Sequence, residues 1–201
     1  RSSGAWPGRS ALLGLIGAAL GVRRDDKVGQ EALGGWRTAV AVLAEGALLQ
    51  DFHTVQSVPS TTIKRPSTRA DALRALKQSD NTSITRRDYR TDCAFSVVLW
   101  GGTDAQSVAD ALNRPVFTPY LGRKSCPLAA PMAARTVQAE DATAALTLAK
   151  LPPWLTGSRP LRIISDVPLA EGREETLWDD PVDRDLWHFA PRKMYIGGGD
   201  A

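Results

Sequence analysis

Phe117-Thr118-Pro119-Tyr120-Leu121-Gly122-Arg123-Lys124-Ser125-Cys126-Pro127-Leu128 divides this chain in two. Pro119 and Pro127 bracket a Gly-Arg-Lys-Ser core, and each lacks a backbone N–H, so the stretch is neither a regular helix nor a central strand. What remains is a fixed loop that offers main-chain N–H groups, a hydroxyl and two cations at one point. Gly122 lets the main chain come close, Arg123 and Lys124 neutralise charge, and Ser125 donates a hydrogen bond. That combination suits phosphates, although an ordinary surface turn with incidental charge is the plainer reading of Gly-Arg-Lys-Ser alone. A P-loop is excluded, because the glycine spacing is wrong and no strand-to-helix pattern surrounds it.

Outward from this loop, the chain alternates between strand and helix signals. Before it, Asp92–Trp100 reads as a strand with Phe95, Val97 and Leu99 on one face, and Asp104–Asn113 as a short capped helix. After it, Ala134–Ala139 is strand-like and Asp141–Leu151 reads as a helix stopped by Pro152-Pro153. Leu161–Asp166 and Trp187–Ile196 supply late strands, separated by an acidic loop over Glu171–Asp185. Near the start, Ser10 is the expected N-cap and Gly21 the expected C′ residue of a helix. Leu12, Leu15, Ile16, Ala19 and Leu20 form its apolar stripe; Gly14, Gly17, Ala18 and Gly21 form a small-residue stripe expected to pack on a sheet. Arg9, just before this helix, stands where a cation and helix N–H groups can face a phosphate together. Trp36–Ala44 alternates as a strand, and Leu48–Val55 is expected to pair with it. Strand–helix–strand–strand–helix–strand ordering with long insertions predicts a ferredoxin-like α+β domain.

Composition sets the bounds. The formal net charge is only +3, from 25 basic and 22 acidic residues, so a diffusely basic surface is excluded. Arginine greatly outnumbers lysine and clusters at Arg86-Arg87-Arg90, Arg123-Lys124 and Lys64-Arg65-Arg69, which favours a local polyanion site. Cys93 and Cys126 stand in no metal-like spacing, so no metal, cofactor or disulfide framework is expected, in keeping with a reducing cytoplasm. The uncharged run over residues 11–22 is too short to cross a bilayer, and no membrane association is expected. Residues 59–83 are rich in Ser, Thr, Lys, Arg and Asp, and their apolar stretch is Ala70–Leu76. That marks an exposed insertion between two strands, longer than loops in compact domains usually are. Lys64-Arg65 and Arg86-Arg87 stand at its two ends, with Ile63 and Ile84 as apolar wedges able to unstack a base.

His53, in Asp51-Phe52-His53-Thr54, is the candidate general acid or base of a metal-independent ribonuclease, with Tyr89, Tyr120 and Lys124 available to stabilise charge. The alternatives are a residue that packs on or hydrogen-bonds to RNA, or a plain strand residue. Asp25-Asp26, Asp179-Asp180 and Asp183-Asp185 are carboxylate clusters of the kind two-metal sites use. Each is local in sequence and without a companion His, so solvated or capping acids are expected. Trp154, Trp178 and Trp187 are candidate anchors for subunit contacts, Trp187 also for the core.

The twelve-residue loop resembles the Tyr-Leu-Gly-Arg-basic-Ser-Cys-Pro-Leu segment of the CasD subunits of type I-E CRISPR surveillance complexes. Two more stretches are similar to that family in the same order. The first is Arg9–Gly21 followed by Arg24-Asp25-Asp26; the second is Asp51-Phe52-His53-Thr54-Val55 with Arg86-Arg87-Asp88-Tyr89 and Asp92-Cys93-Ala94-Phe95. The resemblance runs to Cys126 and continues weakly to Tyr195–Gly199. It implies one RRM-like domain of the RAMP superfamily over residues 1–201, lacking its first strand, with a thumb insertion at 57–85. It further implies a non-catalytic subunit that caps the 5′ handle of CRISPR RNA, touches the complex's backbone and large PAM-reading subunits, and meets target DNA only indirectly. Arg123, Lys124, Ser125 and Gly122 then grip handle phosphates with Tyr120 beside them, Arg9 and Ser10 support them, and His53, Lys64, Arg65, Arg86 and Arg87 line the thumb side. A repeat-processing endoribonuclease of the same superfamily is the alternative.

Overall fold

The structure, a computed structural model, describes residues 3–56, 58–74, 82–183, 186 and 188–198. The chain divides into two compact units: Ser3 with Ala47–Thr91, and Gly4–Gly46 with the residues from Asp92 onward.

The larger unit is built around β1 (Arg37–Ala44), in which Thr38 through Val42 are all buried. An apolar run with both faces covered belongs at the centre of a sheet. β1 lies between β4 (Ala94–Trp100) and β5 (Arg162–Ser165); β5 pairs with β7 (His188–Gly197) and β7 with β6 (Arg173–Asp183). Every pairing is antiparallel and the order is β4-β1-β5-β7-β6. Val42, Ile164 and Met194 form the core on one side, with Trp6, Phe95 and Leu177 around them. Ala39 and Ala41 instead meet Leu146 of α5 (Ala142–Thr147). A further cluster joins Leu13 and Ile16 of α1 (Arg9–Leu20) to Leu33 of α2 (Lys27–Gly34), Trp36, and Val108 of α4 (Ala105–Asn113). Burying one such aliphatic side chain contributes about 1.5–3 kcal/mol, and Leu13 and Ile16 tie α1 to this cluster.

The helix ends follow local chemistry with one exception. Gly21 takes the left-handed conformation at φ 77°, and Val22 N–H donates to Gly17 O at 2.8 Å, closing α1 as expected. Asp104 and Asp141 cap α4 and α5, accepting from Ser107 N–H at 3.0 Å and Ala144 N–H at 2.7 Å. The exception is Ser10, which lies inside α1; the N-cap is Gly8, and the Asp179 carboxylate accepts from Arg9 N–H at 3.1 Å.

Four expectations are corrected. The strand over Leu48–Val55 exists as β2 (Ala47–Gln56) but pairs with β3 (Thr82–Thr91), because β4 and β5 already occupy both edges of β1. The acidic loop is largely strand β6, whose carboxylates are matched: Glu174 by Lys193 at 2.9 Å, Asp179 by Arg192 at 2.6 Å and Asp180 by Arg9 at 2.9 Å. Ala134–Ala139 forms no strand; the Asn113 side chain donates to Ala134 O and accepts from Ala134 N–H, taking the place of a ladder partner. α5 ends at Thr147 and not at Leu151.

The smaller unit is a two-stranded antiparallel ribbon of β2 and β3 with a short helix, α3 (Arg69–Arg74). No residue of either strand is buried, and Leu48, Leu49, Phe52, Val55 and Ile84 are exposed. Ser3 Oγ donates to Asp88 O at 2.5 Å. This unit is wider than the insertion expected at 57–85, since it includes both strands to Ala47 and Thr91. Residues 57 and 75–81 of that insertion lie outside the described residues, as do Trp187, Asp185 and Gly199.

Candidate nucleic-acid interface

The basic turn belongs to the larger unit and is tied across its base and within itself. Tyr120 and Pro127 form an isolated antiparallel bridge. Leu121 N–H donates to Cys126 O at 2.9 Å, Arg123 N–H to Leu121 O at 2.9 Å, and Cys126 N–H to Arg123 O at 2.8 Å. The tight reversal at Gly122 has φ +75°, which a side chain would oppose. Gly122, Lys124 and Ser125 are exposed and Arg123 is half-buried, so the cations stand on a small closed loop. Cys126 and Cys93 are half-buried thiols outside any disulfide.

The approach to the turn is held as firmly. Val116 N–H and Phe117 N–H donate to Ala19 O and Ala18 O of α1, each at 3.0 Å. A Cβ placed on Gly21 would stand 3.1 Å from Val116, and one on Gly122 3.6 Å from Ala11. The small-residue stripe of α1 is thus shared: Ala18 and Gly21 meet this loop segment, and Gly17 meets Leu33 of α2. Phe117 and Tyr120 are exposed alongside.

Arg9 is not part of this surface, which corrects its expected phosphate role. Its guanidinium is buried and donates to Trp36 O at 2.5 Å, Gly34 O at 2.8 Å, Asp166 Oδ2 at 2.9 Å and Asp180 Oδ1 at 2.9 Å. Arg192 completes the cluster, donating to Asp166 at 2.6 Å and doubly to Asp179. Asp166 also accepts from Thr38 N–H at 2.7 Å. Four of the five guanidinium donors of Arg9 are thus engaged inside the fold. Of the Asp179-Asp180 pair, expected as solvated or capping acids, Asp179 caps α1 and Asp180 instead pairs with the Arg9 side chain. Ser10 is half-buried in the first turn of α1.

In the ribbon, strand register decides what shares a face. Asp51 stands opposite Arg87, Phe52 opposite Arg86, His53 opposite Thr85, and Thr54 opposite Ile84. Side chains alternate along a strand, so Asp51, His53, Arg87 and Tyr89 share one face. Phe52, Ile84, Arg86 and Arg90 share the other. The three expected site residues His53, Arg86 and Arg87 are therefore divided, with Arg86 opposite to the other two. Lys64 and Arg65 are exposed in the segment between β2 and α3, Arg65 at φ 54°. His53 Nε2 lies 2.5 Å from Asp51 Oδ2. Asp51 and Phe52 are the residues the sequence reading passed over, and the period-2 pattern was the signal that places each with its neighbour.

Electrostatics separate the turn from β6. Lys193 donates to Glu174, which holds the Glu174 carboxyl below its usual range and raises the Lys193 ammonium. The carboxylates and cations of β6 and β7 are thus matched with one another, while the turn over Gly122–Ser125 carries two cations and no acid. Among the described residues no group of three or more His, Cys, Asp or Glu side chains stands ready to hold a metal, and no helix is long and apolar enough to cross a membrane.

Fold and turn together define an α+β protein with an antiparallel sheet that presents cations from a rigid loop. The chain belongs to the CRISPR-associated protein (Cas_Cas5) family, whose model matches residues 1–195. It is 39% identical over 159 residues to the CRISPR system Cascade subunit CasD of Escherichia coli (strain K12), covering 73% of this chain and 66% of that protein. The chain thus spans about two thirds of that relative's length. A chain of a solved CRISPR RNA-guided surveillance complex superposes with a TM-score of 0.68 and 28% identity, over 98% of this chain and 80% of that one. A second solved structure, of a Cas protein, matches with a TM-score of 0.59 at 24% identity, over 98% of this chain and 83% of that one, which speaks to fold alone.

Proposed function

We propose that this chain is a non-catalytic subunit of a type I-E CRISPR surveillance complex that holds the 5′ handle of the CRISPR RNA. In this reading the sheet unit is a ferredoxin-like, RRM-like domain of the RAMP superfamily, working in the cytoplasm, and the ribbon is its thumb. The observation that carries it is the cross-tied turn over Tyr120–Pro127, which displays Arg123, Lys124 and Ser125 in a chain 39% identical to a named Cascade subunit. Arg123, Lys124 and Ser125 grip handle phosphates, Gly122 lets the strand approach, and Tyr120 flanks it. His53 with Arg87, and Arg86 on the reverse face, meet RNA or the neighbouring backbone subunit, with Lys64 and Arg65 beside them. The large PAM-reading subunit docks on the same chain. Target DNA is engaged only through guide pairing.

Each charge-assisted phosphate contact is worth about 1.5–3 kcal/mol. Arg123→Ala combined with Lys124→Ala should therefore weaken binding of handle RNA by at least about tenfold and flatten its salt dependence. The unfolding transition should move by less than about 1 kcal/mol, since Lys124 is exposed and Arg123 only half-buried. Wild-type binding by the double variant across a salt titration would remove the turn from the reading.

One observation favours a second reading. The Asp51 carboxylate against His53 Nε2 is how a general base is oriented. If the chain were a repeat-processing endoribonuclease, purified protein would cut precursor repeat RNA without metal, and His53→Ala would abolish the cut. We expect no such cleavage. Mature RNA should also persist in His53→Ala cells that carry the dedicated processing subunit.

A further inference from the structure

The residues on either side of the basic turn are also the walls of a groove. Its volume is about 470 Å³, within the range of small-molecule sites. It is lined by Pro115 and Pro119 on the way into the turn, by Leu128 and Met132 on the way out, and by Leu112 of α4. Since Pro119 and Pro127 both line the groove and the Tyr120–Pro127 bridge closes the turn between them, the cationic turn is the groove's rim. The walls are fixed in advance. Val116 and Phe117 are bonded to α1, and the Asn113 side chain clamps Ala134 from both sides at 2.7 and 2.9 Å.

We propose that this groove receives one unstacked nucleobase of the RNA strand whose phosphate is held by Arg123, Lys124 and Ser125. The inference rests on the handle-binding reading and assigns it a second contact. Proline rings and a methionine thioether are flat or polarisable apolar surfaces that favour an aromatic ring. No residue lining the groove carries a charge, so nothing in it repels the adjoining phosphate. The pairing of an apolar slot with a cationic rim matches an aromatic base joined to an anionic backbone.

The test uses the whole chain, handle-sequence RNA oligonucleotides carrying one abasic nucleotide at successive positions, and Ala129→Trp to fill the groove from an exposed wall position. One abasic position should weaken wild-type binding by about tenfold, and Ala129→Trp should lose as much on intact RNA. The two losses should not add, because each removes the base from the same slot. Met132→Glu, which sets a carboxylate in the groove, is the second variant and should behave alike. A flat abasic scan, or wild-type affinity in both variants, overturns the base assignment while leaving the turn as a phosphate clamp. Unchanged RNA affinity with lost assembly onto other protein subunits overturns it in favour of a protein contact. Wild-type protein that prefers handle RNA no more than a scrambled oligonucleotide fails the handle-binding reading itself.

Discussion

β1 and β2 are separated in the chain by only Glu45 and Gly46, and they are opposites. β1 buries five successive residues between two neighbouring strands. β2 buries none, and its ribbon leaves Leu48 and Phe52 more than half exposed. A two-stranded ribbon with both faces open is marginal in water. The sheet unit therefore contains its own reasons to fold. The ribbon carries apolar side chains that its own unit does not cover, which in our reading await RNA or a neighbouring subunit.

The strongest way to break that contrast is through the buried ion cluster. Arg9→Ala leaves carboxylates facing a void, and breaking a buried pair costs about 3–5 kcal/mol. Denaturant unfolding should show that loss or an absent transition. A change below about 1 kcal/mol would mean that the cluster contributes no more than a surface pair.

A milder test lies on the ribbon. Leu48→Ser with Phe52→Ser should shift unfolding of the free chain by no more than about 0.5 kcal/mol, since neither side chain is buried. Assembly of the complex, read by co-purification, should nonetheless fall. A large loss of stability in the free chain would show that the ribbon has a core of its own.

The smallest effect concerns pH. Hydrogen bonds from the Ser107 hydroxyl and backbone N–H hold the Asp104 carboxyl below its usual value. A carboxyl lowered on folding stabilises fully above its unfolded pKa, and that support fades as pH falls through the lower folded value. Exchange protection of the Ser107 amide should accordingly be flat at neutral pH and decline only in acid below about pH 4, a decline absent in Asp104→Asn. Loss of protection at neutral pH would contradict the cap.

The legible parts of the sequence were those in which local chemistry and tertiary structure agree. β1, β4 and the caps at Asp104, Asp141 and Gly21 were readable because period and capping residue are short-range signals. β6 was not, because Arg-Glu-Glu-Thr-Leu-Trp-Asp-Asp reads as solvated loop until Arg9, Arg192 and Lys193 arrive from elsewhere. The strand-like stretch Ala134–Ala139 misled in the opposite sense, since it joins no sheet and the backbone of Ala134 is bonded by the Asn113 side chain instead. In the candidate site, the turn itself was legible from two prolines and a glycine. Arg9 was misassigned because its partners Asp166 and Asp180 lie more than 150 residues away. The split between Arg86 and Arg87 was legible in principle, since neighbours on a strand always face opposite ways.

The two hydrogen bonds from Val116 and Phe117 to the end of α1 have a mechanical meaning. A tug on the basic turn is delivered to the helix through its last carbonyls. It travels along the rod to Arg9, and from there through Asp166 and Asp180 to the ends of β5 and β6. In our reading, a strand of RNA that pulls on the loop pulls through these bonds on α1 and on the buried cluster behind it.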